Sequence, residues 1–148
     1  MIRVGMVGTF DVANFGDLLF PLVAQAELRR RLGEVKIRPY SYHARSAASW
    51  PFHVAPLERL PEEVETLNLL LVGGGDIVRF DALVALGYQP GSSVIHHPTG
   101  FWLAPILIAH VAGVPVAWNA PGVPAPVPAW ARPLVRASVM ARDRKSVV

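Results

Sequence analysis

The chain has 148 residues, 52% hydrophobic and 17% charged, with no cysteine and a formal charge of +3. That length fits one domain with a full core, and the lack of cysteine excludes a disulfide framework or a thiolate metal site. The charge is local: Arg132, Arg136, Arg142, Arg144 and Lys145 against Asp143 give +4, leaving −1 for the rest, so no basic stripe points to nucleic acid.

Ile2 to Val7 reads as a buried strand, followed by a loop from Gly8 to Asp17. Leu18 to Leu32 reads as a helix with Leu19, Leu22, Val23, Ala26 and Leu28 facing inward. Arg29, Arg30 and Arg31 suit the negative end of its dipole, and Gly33 stops it. Pro21 is cheap only in a first turn, so regular helix is expected from Asp17 or later.

Val35 to Tyr40 is the second predicted strand; Ser41 to Pro61 is a connection too long to be idle. Leu67 to Val72 is the third strand and runs into Gly73-Gly74-Gly75-Asp76. Gly100 to Ala112 reads as a helix, Val114 to Trp118 as a strand, Pro128 to Ala137 as a short helix and Ser138 to Ala141 as a last strand. The proline-rich run from Pro121 to Pro133 is a stiff surface connection. Alternating strands and helices predict an α/β fold, Rossmann-like and doubly wound, with a mostly parallel sheet.

No basic start and apolar core marks a signal peptide. The most apolar stretch, Phe101 to Trp118, is broken by Pro105, His110, Gly113 and Pro115. It therefore reads as a buried helix and strand, not a membrane span, and a cytoplasmic protein is expected.

Both glycine loops follow apolar strands, where the exit loops of an open α/β sheet line the ligand crevice. Glycine there lets a ligand approach backbone N–H groups. Asn14 carries donor and acceptor groups suited to sugar hydroxyls, or serves as a left-handed turn residue. Gly16 precedes a helix N-terminus that favours polar or anionic ligands. Asp17 argues against a bare phosphate directly there, or caps the helix. Gly73, Gly74 and Gly75 either line a ligand or only permit tight turning, and Asp76 and Arg79 either orient a polar ligand or form a solvated pair. No G-x-G-x-x-G or P-loop spacing occurs. Adjacent His96 and His97 point apart in a strand and do not share a metal. His110 reads as a core or interface residue, while His43 and His53 in the long loop are candidates to contact an acceptor. No Ser/His/Asp order, HExxH or paired-carboxylate arrangement appears, so no catalytic residue is assigned.

Asn14-Phe15-Gly16-Asp17 resembles the Asn-x-Gly-Asp motif that opens polysaccharide pyruvyl transferases. Val72-Gly73-Gly74-Gly75-Asp76 is similar to their central triple-glycine motif, and Arg142-Asp143-Arg144-Lys145-Ser146 to their Arg-Asp-x-x-Ser. Order and rough spacing agree from Met1 to Ser146. The resemblance implies one half of a glycosyltransferase-B-type architecture, residues 1–148 forming a single N-terminal domain and the family's C-terminal domain lying outside it. It further implies transfer of a pyruvyl group from phosphoenolpyruvate, a substrate and not a cofactor, to a glycan or lipid-linked sugar. This half would mainly hold the acceptor, with Asn14, Gly16, Asp17, Gly73, Gly74, Gly75, Asp76 and Arg142 as substrate-binding residues. The low charged fraction predicts an apolar face covered by the other half or by self-association, and the lack of a recognisable nucleophile–base pair predicts a chain inactive alone. Half of a nucleotide-sugar glycosyltransferase, and a non-catalytic binding or assembly domain, are the other readings.

Overall fold

The structure, a computed structural model, describes residues 1–80 and 98–140. Five strands form one sheet: β1 (Ile2–Val7), β2 (Val35–Ser41), β3 (Ala55–Pro56), β4 (Leu69–Val72) and β5 (Val116–Trp118). Their spatial order is β3-β2-β1-β4-β5 and every pairing is parallel. The described α-helices are α1 (Phe15–Leu32), α2 (Leu60–Glu63), α3 (Pro98–Val111) and α4 (Arg132–Met140), with short 3-10 turns at Leu57–Arg59, Val64–Thr66 and Ala129–Ala131. The expected Rossmann-like α/β fold is what the chain adopts.

Strand residues alternate between the two faces, and each face has its own core. Val4, Met6, Ile37 and Leu71 pack with Phe20, Ala24 and Leu28 of α1. Val7, Tyr40, Leu70 and Val72 pack with Phe101, Trp102, Ile106 and Ala109 of α3. Helices therefore cover both faces, as a doubly wound sheet requires.

Four expectations are corrected. α1 begins at Phe15, not near Asp17, and holds Pro21 well inside it. Pro21 is the helix's one buried residue, so its burial helps to offset the backbone bond it cannot donate. The inward face carries Phe20, Pro21, Ala24 and Leu28, whereas Leu19, Leu22, Val23 and Ala26 are exposed. Apolar residues occur around most of this helix, so periodicity could not select the side.

The predicted strand from Ser138 does not form: Ser138, Val139 and Met140 continue α4, and Ala141 lies outside the described residues. Ser138 is buried, its hydroxyl donating to the Val135 carbonyl at 2.8 Å. Within the long connection, β3 pairs beside Tyr40 and Ser41, and the chain then turns helical from Leu57 to Thr66. Tertiary pairing made a strand too short to leave a sequence pattern. Val4, Val7, Leu70, Leu71 and Val116 are buried, while Trp118 is partly exposed.

On the α3 face, Glu63 clasps β2. It accepts from the Arg38 guanidinium through two bonds of 3.1 Å and from the Tyr40 hydroxyl at 2.8 Å. Burial pulls the Glu63 carboxyl upward, but those bonds and the Arg38 and Arg59 charges outweigh it and hold it below its ordinary range. Burial and then the Glu63 bond push the Tyr40 hydroxyl up.

Candidate functional site

Strand order reverses between β1 and β4, and in such sheets the crevice opens outside the carboxyl ends at that point. The two glycine loops meet there. The Gly73 N–H donates to the Val7 carbonyl at 3.1 Å, and Gly75 lies against Thr9 and Asp17. The β5 exit joins them: Asn119 N–H donates to Val72 O at 2.8 Å and Gly122 N–H to Gly75 O at 2.8 Å.

The glycine triplet has a definite steric cause. Gly73, Gly74 and Gly75 all have positive φ, at 139°, 102° and 81°, which L side chains rarely adopt. A Cβ on Gly73 would strike the Asn119 carbonyl, one on Gly74 would come within 2.8 Å of the Phe20 ring, and one on Gly75 within 2.7 Å of Asp17 Oδ1. Space that glycine leaves at Gly74 is thus taken by α1. The triplet presses the β4 exit against β1, α1 and β5, and Gly73 and Gly74 are buried while Gly75 is partly exposed.

Asn14 is extended (φ −114°), not left-handed, and caps α1: its Oδ1 accepts from Gly16 N–H at 3.0 Å. Capping therefore belongs to Asn14. Asp17 sits in the first turn and accepts the Thr9 hydroxyl at 2.8 Å. Burial raises the Asp17 carboxyl above its ordinary range; the Thr9 bond opposes this and the Asp76 charge adds to it. Asp76 is exposed and lies against Gly122, where any Cβ would collide with its carboxylate. Arg79 does not pair with that carboxylate: its Nε donates to the Asp76 backbone carbonyl at 3.0 Å.

A second polar cluster lies across β1, toward β2. Asp11 is 3% exposed. Its Oδ1 is 2.6 Å from the Ser41 hydroxyl, and its Oδ2 accepts from the His43 backbone N–H at 2.9 Å and faces the His43 Nδ1 at 3.2 Å. Ser41 Oγ also accepts from Phe10 N–H at 3.2 Å and lies 2.8 Å from the Gly8 carbonyl. Arg45 Nε donates to the Asp11 carbonyl at 2.9 Å, and Trp50 Nε1 to that of Phe10 at 2.9 Å. Burial, and then the Asp11 charge, push the Tyr42 hydroxyl up to about 12. The buried Asp11 carboxylate against Nδ1 fixes the orientation of the His43 imidazole.

Of the sequence-selected residues, the fold gathers Asn14, Gly16, Asp17, Gly73, Gly74, Gly75 and Asp76 at one sheet edge. Arg142, with Arg144, His96 and His97, lies outside the described residues. His53 and His110 are exposed, so His110 is no core residue. Thr9, Asp11, Ser41, Asn119 and Gly122 also lie at this edge without a motif to mark them; a polar residue at or just past the end of an apolar strand was the available signal for the first four, and Gly122 had none. Among the described residues, no three His, Cys, Asp or Glu side chains converge to hold a metal, and no helix is long and apolar enough to cross a membrane.

An all-parallel sheet with its exit loops drawn together at the reversal point defines a Rossmann-like α/β protein. The polysaccharide pyruvyl transferase family model matches residues 14–147, and the chain belongs to that family. No curated protein matches the chain. Among solved structures, an engineered D-amino acid dehydrogenase bound to NADP+ is similar at 18% identity, with a TM-score of 0.33. The match covers 53% of this chain and 21% of that one.

Proposed function

We propose that the protein transfers a pyruvyl group from phosphoenolpyruvate to a sugar of a glycan in the cytoplasm, with this chain supplying the acceptor side of a two-domain cleft. Family membership gives the reaction class. The observation that carries the site is the joining of the β1 and β4 exit loops by the Gly73–Val7 bond at the strand reversal. In the reaction, one sugar hydroxyl adds to C2 of phosphoenolpyruvate, the methylene carbon takes a proton and phosphate leaves. A second hydroxyl then closes the ketal at C2, and the two hydroxyl protons go to the methylene carbon and to the departing phosphate.

The polar edge suits sugar hydroxyls better than a donor phosphate. Two carboxylates, Asp17 and Asp76, face this edge and repel a phosphate. In this reading, donor phosphate contacts and the acid that protonates the methylene carbon come from the family's second domain, and Arg142 is one of the residues that bind substrate.

The test is phosphate release from phosphoenolpyruvate with a panel of methyl glycosides, with the ketal product followed by mass spectrometry. The chain joined to the family's second domain should release phosphate in step with ketal formation, and the 148-residue chain alone should not. Turnover of a nucleotide sugar in place of phosphoenolpyruvate would replace this reading with a glycosyltransferase.

A further inference from the structure

Beside the β4 and β5 exits lies a cavity of about 290 Å³, formed by Arg79, Phe80, Pro124, Pro126, Pro128 and Trp130. Trp130 is 56% exposed, yet its ring is firmly backed. Phe80 meets it edge-on at 6.2 Å and 86°, and Phe80 in turn meets the fully buried Trp102 at 5.8 Å and 78°. Trp102 Nε1 donates to the Arg79 carbonyl at 3.3 Å, which ties this aromatic chain to the residue forming the polar rim. The three prolines stiffen the opposite wall.

Arg79 is held by one nitrogen only. Its Nε bonds the Asp76 carbonyl, and its two terminal nitrogens have no partner among the described residues. A tethered guanidinium beside a rigid indole face offers two complementary surfaces. The apolar C–H face of a pyranose ring stacks on the indole, and its hydroxyl rim accepts from the guanidinium. The volume is at the small end of the roughly 300–1,000 Å³ of small-molecule clefts, suited to one sugar ring. A concave pocket that small is a poor seat for a second protein, whose stable interface needs roughly 1,000 Å² or more.

We propose that this cavity is a saccharide subsite that binds one hexose of the acceptor glycan outside the reaction crevice, stacked on Trp130 and hydrogen-bonded by Arg79. Two hydrogen bonds tie its wall to the glycine-loop edge: Arg79 Nε donates to the Asp76 carbonyl, and Val78 N–H donates to the Gly122 carbonyl at 3.2 Å. The identity of the sugar as acceptor rests on the proposed transfer to a glycan; the binding of a saccharide at Trp130 does not.

The chain carries four tryptophans, so indole N–H signals in a 15N-labelled sample report each ring separately. The probes are methyl hexopyranosides, the matching disaccharides, uridine diphosphate and inorganic phosphate. At least one saccharide should move the Trp130 signal saturably and leave Trp50 unmoved. Trp130→Ala should weaken that binding about tenfold and Arg79→Gln about fivefold. Trp130→Phe, which keeps an aromatic face, should stay within about threefold of the parent. Four results overturn the subsite: no saccharide moves Trp130; uridine diphosphate or phosphate alone moves it; Trp130→Ala binds as the parent does; or the signal shifts with protein concentration alone, which marks a contact between copies. Since the readout is binding, a failed phosphate-release assay leaves this result to stand or fall by itself.

Discussion

The two sides of β1 reach order by opposite means. Toward β2, the carboxyl edge is saturated with hydrogen bonds: both oxygens of buried Asp11 have partners, and the side chains of Ser41, Arg45 and Trp50 close the remaining carbonyls. Toward β4 and β5, the edge is closed by compression, with glycine backbone pressed on Phe20, Asp17 and Asn119. That side keeps polar capacity in reserve: among the described residues, the buried Trp118 Nε1 has no partner, and two carboxylates stand near each other. A saturated network fixes a scaffold; groups held close but incompletely bonded are what a ligand can use.

The sharpest way to break this contrast is to remove the carboxylate that organises the β2 side. Asp11→Ala deletes the acceptor of three close contacts, those with the Ser41 hydroxyl and with the His43 N–H and Nδ1. It should cost about 3 kcal/mol, read as a fall in the urea midpoint at constant slope. Asp11→Asn keeps an acceptor for one partner and should lose less. A loss under about 1 kcal/mol in Asp11→Ala would show that the network orders nothing.

On the compressed side, Gly74→Ala should cost about 2 kcal/mol, since backbone strain at positive φ adds to the clash with Phe20. Gly33 supplies the control. It has φ 83° but no neighbour within 4 Å of a Cβ, so Gly33→Ala should cost about 1 kcal/mol from strain alone. Combining Gly74→Ala with Phe20→Ala should show favourable coupling. Equal costs at Gly33 and Gly74, with no coupling to Phe20, would remove packing from the account.

The smallest effect has the opposite sign. Asp17 has its carboxyl raised in the fold, so the native state holds its proton more tightly than the unfolded chain. This term therefore disfavours the fold increasingly as pH climbs from the ordinary carboxylate range through the raised value. Asp17→Asn should gain stability near neutrality, held below about 1 kcal/mol by solvent screening, and the gain should vanish in acid. Denaturation curves that run parallel across pH would reject the burial and Asp76 influences on this group.

Much of this was legible. β1 and β4 are short apolar runs ended by glycine, and the topology rule for parallel sheets places both exits at one edge without knowledge of side chains. The hidden parts depend on distant partners. Asp11 looks like any loop aspartate until Ser41 and His43 arrive from a strand about thirty residues away. Gly122 sits in a run that reads only as proline-rich, and its need for glycine comes from Asp76. Ser138-Val139-Met140 has the composition of a strand, but it continues α4 with Ser138 buried and its hydroxyl bonded to the preceding turn.

The β3 border of the sheet has one more consequence. β3 is two residues long, and its second residue, Pro56, has no amide hydrogen. Another extended chain laid along this margin would find one donor at most, and so no ladder on which to grow. For a protein with so few charges to keep molecules apart, a truncated, proline-ended margin is a safeguard against edge-to-edge aggregation.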